Sequence, residues 1–447
     1  MNKGYRFKKD FLILGLSLFL LLSNFPAQGQ EKEELPLPVI QYKLKNGLQV
    51  IISEDYSLPL VSVVVAYNVG SINEEPGKTG LAYMLKNLMF QGSKNVSPMQ
   101  HVSFIHRIGG DLNATTTEDK TIFQQTVPSH QLCLVLWLES DRMKSLDINA
   151  ANVERAKEAL IEEIRHRKAN EPYLNSFLAF DELLYPDFAY SHPVIGNEAD
   201  MRDLTVEDVK HFYSTFYTPN NAVLTIVGNI DKRKTEENVR KYFETIRKGK
   251  DVPLPLLPKP SERIGVVKTL RKSLAPSPGF HLGYRIPSPF SKDFYPLKII
   301  EYILLGGKTS RLYKRLIKKE RIASNLSGGI EKRKNLATLK IFVTNRSLTM
   351  VERSKKAIFS EINKLKSSLI SEKELRKSKN MFKMDYINQY STPVDKALFL
   401  AETFLSKKNL DGLSDELEKY LAVDHYRIIR ITRRYFTKEI ILNVRIK

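Results

Sequence analysis

The stretch Gly80-Leu81-Ala82-Tyr83-Met84-Leu85-Lys86-Asn87-Leu88-Met89-Phe90 is the key to this chain. It follows a strand-like run from Val61 to Val69. It precedes Gly109-Gly110-Asp111-Leu112-Asn113-Ala114-Thr115-Thr116, in which two glycines turn the chain into another strand. No helix start with Lys-Ser/Thr follows that glycine pair, so it is not a phosphate loop. The same order of elements recurs half a chain later, where Phe280 to Pro287 leads into a helix through Ile299, Ile300 and Ile303. Likewise Leu204-Thr205-Val206-Glu207-Asp208, Tyr217 and the run Ala222 to Val227 find a weaker copy in Leu421 to His425, Tyr435 and Ile440 to Val444. Strand-like runs alternate with helices of 3.6-residue apolar spacing, and self-similarity near half the chain length predicts two domains of one kind.

The expected fold class is therefore α+β: two homologous domains, each a mostly antiparallel sheet packed with helices. Lys248 to Pro260 is punctuated by prolines and excludes a regular helix or central strand, so residues 248–262 are expected to be a semi-rigid linker. The domains on either side are placed at 38–247 and 263–447. At the other end, Lys3, Arg6, Lys8 and Lys9 precede the apolar run Phe11 to Leu22 and the small-residue stretch ending at Gly29. Residues 1–29 are expected to be a signal peptide, and the run is too short for a membrane span. With no cysteine after that run, a lipid-modified N-terminus is not expected.

Of the 447 residues 42% are hydrophobic and 27% charged, which is a globular balance long enough for two cores. The formal net charge of +20 favours anionic partners, but the basic residues spread along helices such as Lys355 to Lys379 and read as solvated faces. No nucleic-acid motif is present. The single cysteine, Cys133, lies in the apolar run Leu132 to Leu138 and is expected to be a buried small hydrophobe. Trp137 on the same run is expected in the core. His101 and His106, five apart, fall on different helix faces and do not suggest a metal site.

The ordered segments from Asn46 to Val223 resemble the insulinase/pitrilysin-like metallopeptidases, the inverzincins. They include Pro76 to Ala82, His192-Pro193-Val194-Ile195-Gly196 and Tyr217 to Val223. In that family the helix reads H-x-x-E-H: two histidines hold zinc and the glutamate activates water. The matching positions here are Tyr83, Lys86 and Asn87, a phenol, an ammonium and an amide, none of them a good zinc donor. The family's third ligand, a glutamate on a later helix, matches Glu163, and a supporting position matches Ala156. A unit positive charge about 5 Å from Zn²⁺ would cost about 7 kcal/mol even at an effective dielectric near 20. Lys86 is therefore expected to fill the metal's space and pair with Glu163 or Glu162, with no cofactor and no metal bound.

The resemblance also implies an arginine and, seven residues later, a tyrosine in the C-terminal half. Ile317 and Ser324 stand at those positions, while Arg311 and Tyr313 belong to a structural helix start. It implies further that Asn113-Ala114-Thr115 is an exposed edge on which an extended peptide adds as another strand, a mode that needs no metal. Family members often work as pairs, and this chain carries neither catalytic set. The expectation is a non-catalytic homologue, exported to a bacterial periplasm or cell envelope, that completes the peptide chamber of a zinc-bearing paralogue. A free-standing peptide-binding or scaffold protein is the alternative from a different class. An active metallopeptidase with unconventional ligands is the third.

Overall fold

Leu60-Val61-Ser62-Val63-Val64-Val65-Ala66-Tyr67 has almost no polar face, a pattern that suits a strand covered on both sides. The computed structural model describes residues 39–185, 187–253, 265–272 and 275–446. In it, β3 (Leu60–Tyr67) is central in a six-stranded sheet. The others are β1 (Val39–Lys43), β2 (Gln49–Glu54), β4 (Asp111–Thr116), β5 (Thr121–Pro128) and β6 (Ala222–Gly228), in the order β1-β2-β6-β3-β5-β4. Only β2 and β6 run parallel, from Gln49 beside Val223 onward, and the remaining pairs are antiparallel.

The second sheet contains β7 (Val266–Lys272), β8 (Gly279–Ile286), β9 (Ala323–Lys332), β10 (Ala337–Asn345) and β11 (Glu439–Ile446), in the order β7-β11-β8-β10-β9. Again one pair, β7 with β11, is parallel and the rest are antiparallel. Strand for strand, β7, β11, β8, β10 and β9 repeat β2, β6, β3, β5 and β4. The duplication seen in the sequence is thus a duplication of topology, and the α+β class with mostly antiparallel sheets holds. Among the described residues β1 has no counterpart in the second sheet.

The first sheet's main core is built with the helices Leu81–Leu88, Leu132–Lys144, Val206–Phe216 and Lys232–Phe243, through Val63, Val65, Leu85, Leu136, Val209 and Phe243 among others. Its β3 and β6 also receive the helix Pro393–Lys407, which comes from the C-terminal half. In return, Leu174–Leu184 from the N-terminal half lies on β8 and β11. There Phe180, Leu183 and Leu184 join Ile440 and Leu442 in one apolar cluster. Gly283 makes this close approach possible, since a Cβ there would come within 2.8 Å of Leu184 and Phe180. Each half therefore lends the other a helix.

The expected signal segment, residues 1–29, lies outside the described residues, as does 254–262 of the expected linker. The described start of that linker is fastened to the N-terminal half: the Asn220 side chain accepts from the Gly249 amide at 2.8 Å and donates to the Lys250 carbonyl at 3.1 Å. Cys133 corrects the sequence reading, for it is exposed. Seven consecutive apolar residues, interrupted in size but not in polarity, give a helix no readable phase, and it is Leu132, Val135 and Leu136 that turn inward. Trp137 is half-buried against the core.

Candidate functional site

The motif helix Leu81–Leu88 buries Leu81, Ala82, Met84, Leu85 and Leu88 and leaves Tyr83, Lys86 and Asn87 on its other face. Its entry is fixed by Gly80, whose φ of 93° is left-handed backbone that suits glycine. The buried Glu74 carboxylate accepts from the Gly80 and Ala82 amides, both at 2.9 Å, so a negative charge satisfies the free N–H groups at the helix start. His192 Nε2 stands 3.1 Å from the same carboxylate and its Nδ1 is 2.7 Å from the Phe188 carbonyl. Thr79 adds a 2.6 Å bond from its hydroxyl to Asp200. Sequence reading placed His192 within a segment shared with the family and missed Glu74, whose only signal was a carboxylate six residues before the glycine.

Glu163 sits on the long helix Ala150–Asn170, which packs against the motif helix. Tyr83 Oη donates to Glu163 Oε1 at 2.9 Å. Burial, and then this carboxylate, push the Tyr83 phenol up to about 12, so it stays protonated and donating at neutral pH. Lys86 does not pair with Glu163 or Glu162 as expected. Its Nζ lies 3.6 Å from the centroid of the Tyr83 ring, and among the described residues it enters no salt bridge. Burial lowers its pKa and the nearby Glu163 charge partly restores it. The physical reason is reach: Tyr83 and Lys86 are neighbours at i and i+3 on one helix face, so the ammonium folds onto the ring. The phenol meets Glu163 without desolvating an ion pair. Glu162 is exposed, on another face of its helix.

A cleft of about 540 Å³ opens beside these groups. Lys86, Asn87 and Phe90 form one wall, Asn152, Arg155 and Ala156 another, and Leu112, Asn113 and Ala114 the third. The last three belong to β4, which has a neighbour on one side only and is an edge of the sheet. Thr115 is exposed on the same strand. The Ala114 amide is held at 2.8 Å by the Asn113 side-chain oxygen, so that carboxamide must swing away before the amide can pair with an added strand. Lys86 and Arg155 are charged lining groups of one sign, and no carboxylate lines the cleft.

Ile317 and Ser324 do not line this cleft. Ile317 is half-buried in the π-helical turn Tyr313–Lys319, and the Ser324 hydroxyl bonds Thr344 Oγ1 at 2.8 Å. Arg311 is engaged by Glu374 through two bonds of 2.8 and 2.6 Å. The groups at the motif do not form a zinc donor set: a protonated phenol, an ammonium and an amide surround one carboxylate that already accepts a hydrogen bond. Among the described residues no three histidine, cysteine, aspartate or glutamate side chains gather as metal ligands. His101 is buried against Gln125 at 3.1 Å, and His106 and His166 are exposed.

Residues 49–184 match the family described as insulinase, peptidase family M16, and residues 203–382 match the peptidase M16 inactive domain. The chain belongs to the M16 family. It is 29% identical to the zinc protease PqqE of Helicobacter pylori, over 95% of this chain and 96% of that protein. The crystal structure of a protease from Helicobacter pylori superposes with a TM-score of 0.86 at 27% identity, covering 92% of this chain and 99% of that one. The periplasmic protease PqqL from Escherichia coli shares the fold, with a TM-score of 0.76 at 18% identity, over 93% of this chain and 48% of that one. The inactive-domain match begins beyond the motif helix, so it says nothing of the M16 residues at 83, 86 and 87. Within the M16 fold the edge strand and the motif helix share one cleft, which combines a backbone edge, apolar side chains and two cations.

Proposed function

We propose that this M16 chain is non-catalytic and completes the peptide chamber of a zinc-bearing paralogous subunit in the cell envelope. The observation that carries the reading is the Tyr83–Glu163 hydrogen bond roofed by Lys86. It joins the two helices that the family's metal would join, with a protonated phenol and an ammonium, neither a zinc donor at neutral pH, facing the one carboxylate. Strand addition at β4 needs only main-chain hydrogen bonds, so peptide binding outlives the loss of hydrolysis. Export is supported by the signal-like residues 1–29 and by the periplasmic description of the Escherichia coli relative. Among the described residues no helix is long and apolar enough to cross a membrane.

The test is purification of the tagged chain from native envelope extract, with identification of what comes with it and metal analysis of the isolated subunit. A stoichiometric companion bearing H-x-x-E-H, with zinc in the companion alone, is the expected result. One equivalent of zinc in the isolated chain, with peptide cleavage stopped by a chelator, would overturn it in favour of an active peptidase. A free-standing peptide-binding protein is favoured by the fact that cleft and edge strand lie within one chain. It is recognised by isolation without a companion and saturable binding of an extended peptide.

A further inference from the structure

A second cavity, of about 470 Å³, lies between the two halves, away from the motif helix. Its cationic side comes from Lys332-Arg333-Lys334, where β9 ends and turns toward β10. Arg333 crosses to the N-terminal half, where it pairs with Glu118 and lies over the Tyr185 ring at 5.4 Å. Its two neighbours also line the cavity, Lys334 with Nζ 3.3 Å from the Asn68 side-chain oxygen and Lys332 with Nζ 5.4 Å from the Phe294 ring centroid. Among the described residues neither lysine enters a salt bridge. The other lining lysines are matched: Lys120 with Glu402 at 2.6 Å, Lys298 with Glu301 at 2.7 Å, and Lys407 with Glu416. The lining carboxylate of Asp119 already accepts from Tyr190 Oη at 2.7 Å. Among those residues Lys332 and Lys334 thus lack a direct ion pair, with Asp119 acting on Lys334 at longer range, in a space also lined by Tyr302, Phe382, Tyr386, Phe399 and Tyr420. Burial, joined at Lys332 by the Lys298 charge, holds both lysines below the usual lysine range, opposed at Lys332 by Glu416, Glu301 and Glu402 and at Lys334 by Asp119. An apolar wall with a few convergent charged groups is the usual make-up of a small-molecule site.

We propose that this inter-half cavity binds a small organic anion, its carboxylate or phosphate held by Lys332 and Lys334 and its apolar body against the aromatic wall. This site is separate from the peptide cleft and goes beyond the function proposed above. The test is calorimetric titration of the full chain with 3-phenylpropionate, phenyl phosphate, inorganic phosphate and uncharged 3-phenylpropanol. One of the two aryl anions is expected to saturate one site, with the alcohol weaker by about tenfold or more. Whichever aryl anion binds more tightly identifies the head group. Lys332→Met and Lys334→Met are each expected to weaken that anion by about tenfold, while Lys234→Met on a remote helix leaves it unchanged. Equal binding of acid and alcohol overturns the proposal, as do unaltered binding in a folded K332M/K334M variant and the absence of saturation by both aryl anions. Inorganic phosphate binding as tightly as phenyl phosphate removes the aromatic wall from it. If a lysine variant fails to fold, the contrast between acid and alcohol in the unaltered protein still decides.

Discussion

At the residue scale, Tyr83 ties the motif helix to the long helix Ala150–Asn170 by a hydrogen bond to Glu163. Tyr83→Phe keeps the ring under Lys86 and deletes only the donor to Glu163. The expected loss of stability is about 1 kcal/mol, since the acceptor is charged but partly solvated, and urea unfolding measures it. A change within error would mean that water replaces the phenol at no cost. The converse experiment rebuilds the donor set. Y83H/K86E/N87H supplies two imidazoles one turn apart and a carboxylate between them, with Glu163 already on the facing helix. This triple variant is expected to bind about one equivalent of zinc by calorimetry where the unaltered chain binds none tightly. Failure of the triple variant to take up zinc would show that the helices themselves, and not only three side chains, have moved away from metal-binding geometry.

At the scale of the element, the motif helix owes its direction to how it begins. Gly80→Ala would place a Cβ 2.7 Å from the Ile195 carbonyl oxygen and 2.6 Å from Met201 Cε, on a backbone of positive φ. Left-handed backbone alone costs an alanine about 1–2 kcal/mol, and the clash with a carbonyl adds to it. G80A is expected to lower the unfolding midpoint and also to disturb the Tyr83 environment, read as a change in its ultraviolet absorbance titration. A substitution that costs stability but leaves that titration unmoved would show that the helix tolerates a shifted start. That β4 is a strand was legible in advance because two glycines turn the chain into it, while its place at the edge of the sheet was implied by the family resemblance alone. That its Ala114 amide is sheathed by Asn113 was not legible, because an Asn side chain chooses among local backbone partners only once the strand is placed.

For the whole molecule, the exchanged helices and the Arg333–Glu118 pair make the two halves one folding unit. The side chains of that pair are 9% and 17% exposed. Removing one partner of a pair this enclosed strands the other charge, so Arg333→Met is expected to cost about 3 kcal/mol or more. R333M/E118M is expected to recover part of it, with urea unfolding of the single and double variants as the measurement. Acid sensitivity is likewise shared between the halves. His101 in the first and His281 in the second are both pushed down to about 3, by burial first and then by Arg142 and Lys340 respectively. The unfolded chain protonates each near pH 6.5, whereas the folded chain does not until near 3, so stability falls as the pH drops through that window. Each histidine withdraws about 1.4 kcal/mol per pH unit, or about 2 kcal/mol by pH 5. In His101→Gln the loss between pH 7 and pH 5 is expected to shrink by about that amount, and an unchanged loss would shift the cause to carboxylates.

From the residues alone came the duplicated α+β plan and, through the resemblance of its ordered segments, the family, because periodicity, turn residues and motif spacing are local properties of the chain. The fate of Lys86, the outward face of Cys133 and the helices traded between halves were settled only by folding. In each case the sequence states which groups are present but not which way they point. Direction depends on contacts between segments far apart in the chain: Tyr83 finds Glu163 across 80 residues, and Arg333 finds Glu118 across 215. Those encounters fix where each charge rests, and with it what this scaffold is able to bind.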